Sequence, residues 1–227
     1  NESHADVAIA DADNDGDPDL YLVASAPCHD GNFYRNHGNW SIAPETYPTG
    51  LRTTNARGAV WVDIDGNGFA ELMVGGEERC WIYRPSSAET GHWWRFRVAA
   101  DSSPNSMGIG TRVTIHVGGT THTEWIKAGF GGRTASPSVA HYGLGRSSID
   151  SVVVEFPPGV DGPAHRVVVP SDSIELDREY VYRRRPAPGL DVPTGGADLA
   201  LRLVPNPASK VTMIQGIEDP VEWWKLV

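Results

Sequence analysis

Apolar and polar positions alternate along this chain in short runs, and the rhythm is that of strands. V-A-I-A at 7–10 and L-Y-L-V at 20–23 flank one acidic stretch, while A-V-W-V at 59–62 and L-M-V-G at 72–75 flank another. Each set predicts strand, loop, strand. The segment from Pro27 to Trp40, with Phe33 and Tyr34 set among Gly, Asn and His, predicts an outer strand and a turn. A linker rich in Pro, Thr and Asn is expected through about residue 57. C-W-I-Y at 80–83 then takes the corresponding outer place in the second unit. One such unit cannot bury both of its faces, so repetition at this period points to a propeller or another stacked array.

After Pro85 the composition changes. W-W-R-F-R-V at 93–98, R-V-T-I-H-V at 112–117 and H-T-E-W-I at 122–126 read as strands, as do V-A-H-Y at 139–142, S-V-V-V-E-F at 151–156, R-V-V-V at 166–169 and S-I-E-L at 173–176. Gly118 and Gly119 predict a hairpin turn. Short strands punctuated by Gly, Pro and Ser predict an antiparallel sandwich. The expected fold is therefore all-β, with blades of an incomplete β-propeller over 1–90 and a sandwich over 91–182. A Pro- and Gly-rich linker is expected over 183–199, then the start of a small β module over 200–227.

The acidic stretches carry the chemistry. D-A-D-N-D-G-D-P-D at 11–19 places Asp11, Asp13, Asp15 and Asp19 at offsets where side chains converge, with Gly16 for the bend and the carbonyl of Asp17 as a further oxygen. D-I-D-G-N-G-F-A-E at 63–71 repeats the plan with Asp63, Asp65, Asn67, the carbonyl of Phe69 and Glu71. So many carboxylates repel one another, and a hard, oxygen-preferring divalent cation removes the repulsion. The expected cofactor is Ca2+. A helix-flanked calcium loop would need Glu at its twelfth position, where Leu22 and Val74 stand here.

Charge and cysteine content narrow the function. A formal charge of −10, from 29 acidic and 19 basic residues, argues against a nucleic-acid surface and against an anionic membrane surface. Most basic residues are arginine, which favours fixed ion pairs. No apolar run long enough for a transmembrane helix occurs. Cys28 and Cys80 each follow an acidic loop, and a disulfide and two separate thiols are both open. No dinucleotide fingerprint, phosphate loop, H-E-x-x-H or G-x-S-x-G occurs. Glu124, Glu155 or Asp161 could in principle supply a pair for glycoside cleavage, but such acids are common in β-rich chains, and no catalytic residue is assigned.

The two acidic loops, each followed by Leu and apolar residues, resemble the FG-GAP or VCBS repeats of integrin-like β-propellers. That resemblance implies calcium held within a blade. It also implies further blades, upstream or from another chain, because such propellers have about seven. H-W-W-R-F-R-V at 92–98, N-S-M-G-I-G-T-R-V at 105–113 and G-F-G-G-R-T-A-S-P-S at 129–138 resemble the ASPIC/UnbV domain. H-Y-G-L-G at 141–145 and S-V-V-V-E-F-P-P-G at 151–159 continue the likeness, to proteins of the cartilage acidic protein type. L-R-L-V-P-N-P-A-S-K-V-T-M at 201–213 resembles the opening of the C-terminal sorting domain of type IX secretion. These likenesses imply an extracellular or cell-surface scaffold that binds a protein partner or a cell-surface glycan. The alternatives are a structural subunit of a cell-envelope assembly and a carbohydrate-active hydrolase.

Overall fold

The computed structural model describes residues 4–26, 29–85, 91–99, 104–129, 134–160 and 163–183. The first acidic loop joins β1 (His4–Ala10) to β2 (Asp19–Ala24), and β3 (Asn32–Asn36) and β4 (Ile42–Pro44) complete a meander in the order β1-β2-β3-β4. The second joins β5 (Ala56–Val62) to β6 (Glu71–Gly76), with β7 (Cys80–Tyr83) outside them. Ala10 pairs with Asp19 and Val62 with Glu71, so each acidic loop closes a hairpin at the same point of its register.

Side-chain size decides how the two meanders meet. The inner strands bring Ala8, Ala56 and Ala59, small enough for β1 and β5 to lie against each other. Tyr21, Val23, Phe33, Trp61, Leu72, Val74, Trp81 and Tyr83 fill the rest of one buried cluster shared by both sheets. Each sheet thus covers the other's apolar face, as the repeat demands. Among the described residues no sheet closes on itself. The expected linker before residue 57 contains β4 and a helical turn, α1 (Thr46–Thr49), stopped by Gly50 at φ 71°. The buried Thr46 hydroxyl, which accepts from Phe33 N at 2.8 Å, anchors that turn to β3, a tertiary bond that composition does not advertise.

The second core belongs to two further sheets. One runs β10 (Thr120–Trp125), β9 (Arg112–Val117), β12 (Ile149–Phe156) and β13 (His165–Pro170), all antiparallel. The other runs β11 (Ala140–Gly145), β8 (His92–Val98) and β14 (Arg178–Tyr182). Trp94, Phe96, Val113, Ile115, Val152, Val154, Phe156, Tyr180 and Tyr182 pack between them. Gly118 and Gly119, with φ 54° and 83°, make the β9–β10 hairpin, the left-handed pair that a two-residue loop requires.

Two expectations for this module are corrected. The last strand is Arg178–Tyr182, while Ser171–Ser173 form a 3₁₀ turn. In addition, β14 pairs with β8 in parallel, so the sandwich is not wholly antiparallel. The physical reason is that the chain crosses the other sheet between them and re-enters beside its first strand, the long crossover that parallel pairing needs. Trp93 and Trp94 are buried, but Trp40 is 80% exposed and Trp125 49%. The 200–227 module, the sorting-domain resemblance and Cys28 lie outside the described residues, whereas Cys80 is exposed.

Candidate metal centres

The two acidic loops share one backbone course. Asn14 (φ 58°) and Gly66 (φ 75°) occupy the fourth position, and Gly16 (φ 101°) and Gly68 (φ 93°) the sixth. Two left-handed residues coil each loop inward, and at the sixth position φ lies where only glycine is unstrained. The hydrogen bonds correspond as well. Asp11 accepts from Asp15 N at 3.1 Å and Gly16 N at 2.8 Å, and Asp63 from Asn67 N at 3.1 Å and Gly68 N at 2.8 Å. Asp15 takes Asp17 N at 2.9 Å, just as Asn67 takes Phe69 N at 2.7 Å. The ninth residue ties the loop shut, Asp19 accepting from Ala12 N at 3.0 Å and Glu71 from Ile64 N at 2.7 Å.

Within this frame Asp11, Asp13 and Asp15 each bring a carboxylate oxygen within 4.8 Å of the others, and Asp63, Asp65 and Glu71 do the same. Asp19 stands outside the first group, its oxygens engaged by Ala12 N and by Asn36 N at 2.8 Å. Asp17 and Phe69, whose carbonyls the sequence nominates, are each anchored through the backbone N–H to the side chain two residues earlier. Each trio could chelate a divalent ion.

The electrostatics fit that use. Burial raises the Asp11 carboxyl well above its ordinary range, and Asp13, Asp15 and Asp19 add to the rise by repulsion. Burial likewise raises Asp15 and carries Asp19 and Glu71 to about 7. Glu71 is fully buried, and its Oε1 makes no hydrogen bond; the nearest cationic atom, Arg84 Nε, is 3.8 Å away. Asp13 Oδ1 is also buried without a hydrogen bond. Such oxygens are costly unless something positive meets them.

Two arginines supply part of that charge, and nothing in the loop motif points to either. Arg35 pairs with Asp13 and with Glu45 at 2.9 Å, and Arg95 pairs with Asp63 and with Glu179 at 3.6 Å. Arg35 comes from β3 of the same meander, but Arg95 comes from β8 of the sandwich. Sequence reading also missed Asn14 and His141, joined at 2.8 Å between Oδ1 and Nε2. The one available signal was Asn14 itself, a residue that tolerates the left-handed conformation, at the place where the second loop has glycine. Of the acids weighed for glycoside cleavage, Glu124 is exposed on β10 and accepts from His141 N at 3.1 Å. Glu155 is paired with Arg112, and Asp161 lies outside the described residues.

Comparison with family models matches residues 11–74 to the FG-GAP-like repeat and residues 101–169 to the family described as ASPIC and UnbV. The chain thus carries an FG-GAP-like repeat followed by an ASPIC/UnbV domain. The first match spans both acidic loops. β8, which carries Arg95, and β14 fall outside both matched segments. No curated protein matches the chain. Family and acidic clusters together indicate a calcium-associated scaffold or binding role. No helix among the described residues is long and apolar enough to cross a membrane.

Proposed function

We propose that this chain is a calcium-stabilised extracellular or cell-surface scaffold whose two meanders are blades of a β-propeller. Its loops and sandwich present a surface to a protein partner or a cell-surface glycan. The residues that would hold the ion are Asp11, Asp13, Asp15 and Asp19 with the Asp17 carbonyl, and Asp63, Asp65, Asn67 and Glu71 with the Phe69 carbonyl. The observation that carries this reading is the buried Glu71 oxygen without a hydrogen bond, in a trio of carboxylates. A bound divalent cation neutralises such a trio and, because the unfolded chain lacks the site, stabilises the fold by mass action.

The chain's own part is to hold the loops ready. The left-handed turns, the Asp11 and Asp63 bonds to backbone N–H groups and the closing bonds of Asp19 and Glu71 set the ligand geometry beforehand. The exposed Trp40 supports a binding role, since an aromatic ring left in water offers a stacking surface. Thermal unfolding of Asp13→Ala and Asp65→Ala tests the calcium part. Both are expected to lose more stability in millimolar calcium than in chelator, where Asp13→Ala costs the Arg35 ion pair alone, and equal losses in both would refute it. A glycan panel and co-purification test the binding part, which fails if neither gives saturable binding.

A further inference from the structure

The sandwich sits directly on the two acidic loops. A Cβ placed on Gly143 of β11 would lie 1.9 Å from Asp11 Oδ2, and one on Gly68 of the second loop 1.9 Å from the Trp93 ring of β8. At both places only glycine lets the backbone come so close. Gly145 N donates to the Asn14 carbonyl at 2.7 Å, which pins the first loop to the end of β11.

A closed ring of hydrogen bonds runs through this contact. Asn14 Nδ2 donates to the Gly68 carbonyl at 3.0 Å, so its Oδ1 is the atom that faces His141 Nε2. His141 Nε2 must then carry the proton, and bare Nδ1 accepts from Arg95 Nε at 3.4 Å. Arg95, lying over Trp93 at 5.3 Å and held by Glu179, binds Asp63 Oδ2. Gly68 N donates to the same oxygen at 2.8 Å and closes the ring. The ring begins at a non-ligand of loop one and ends on a candidate ligand of loop two, and its middle members come from the other module. A neutral His141 suits it: burial and the Arg95 charge lower the imidazole to about 3.

We infer that Asn14, His141 and Arg95 are positioning residues that couple the two acidic loops through the sandwich, so that filling one loop raises the cation affinity of the other. This rests on the calcium reading above. An ion in loop one orders Asn14, and with it the Gly68 carbonyl, His141 and the guanidinium on Asp63. The ordering cost of loop two is then already met, which is positive coupling, and by linkage the effect is reciprocal.

Calcium titration calorimetry on the full chain tests the coupling. Asp65→Ala leaves loop one and Asp13→Ala leaves loop two, giving single-loop constants. In the wild type the product of the two association constants should exceed the product of these by about 5- to 10-fold, the lower part of the usual range for allosteric coupling. Asn14→Gly gives loop one the residue that loop two already has, keeping the left-handed turn while deleting the bridge, and the excess should vanish. His141→Ala should remove it too, and His141→Gln, whose amide can still donate to Asn14, should restore part of it. A wild-type product equal to the single-loop product overturns the coupling, as does an excess that survives both Asn14→Gly and His141→Ala. Absence of calcium uptake by the wild type would instead overturn the calcium reading, and the coupling with it.

Discussion

Glu71→Gln separates metal coupling from ordinary packing because its effect should change sign with calcium. Glutamine preserves the side chain's length and the acceptor for Ile64 N, and it removes the charge from a fully buried site. In chelator at pH 8 the wild-type carboxyl, raised from 4.5 to about 7, carries an ionisation penalty on the order of 3 kcal/mol at most. The amide avoids that penalty beside the Asp63 and Asp65 carboxylates, each of which brings an oxygen within 4.8 Å of the Glu71 carboxylate. Stability without calcium should therefore rise by about 1–2 kcal/mol, or roughly 2–8 °C in Tm for a chain of this size. With calcium at about a hundred times Kd, occupancy stabilises the wild type by about 2.7 kcal/mol, most of which a weakened site forfeits. Differential scanning calorimetry in chelator and in saturating calcium reads both signs. An equal fall in Tm under the two conditions would refute the reasoning, since it would make Glu71 a packing residue alone.

Acid should compete with the ion. The folded-state pKa of Asp19 and Glu71 is raised to about 7, so their protonated forms stabilise the metal-free fold below about pH 4, and that contribution is lost as pH rises through 7. Metal-free Tm should fall between pH 5 and 8, calcium should flatten the fall, and calcium affinity should weaken below pH 7. His141 has the opposite sign, because its depressed pKa gives stability above about 6.5 that is lost as pH falls toward 3; His141→Gln should lessen acid-side loss in a pH series of melts. Gly143→Ala would drive a methyl into Asp11 and Asn14 and should cost about 1–3 kcal/mol in denaturant titration while lowering loop-one calcium affinity.

The parts of this molecule governed by local rules were legible in its sequence. The convergence of the loop carboxylates, the glycine bends and the alternating strands follow from offsets of two and from residues that tolerate left-handed backbone, and both hairpins close where the flanking runs end. Arg35, Arg95 and His141 were not legible, because what matters about each is which foreign element it touches. Arg95 alternates within W-W-R-F-R-V like any strand residue, and only the docking of β8 on loop two makes it a partner of Asp63. The final strand escaped for a related reason. R-E-Y-V-Y at 178–182 owes its burial to β8, a partner far away in sequence, while S-I-E-L upstream has the same alternation and forms no strand.

The direct measurement is the number of calcium ions held per chain, by elemental analysis after equilibrium dialysis against millimolar free calcium. The account predicts two for the wild type, and one each for Asp13→Ala and Asp65→Ala. A wild-type value near zero, or a value of two that neither substitution lowers, would contradict it.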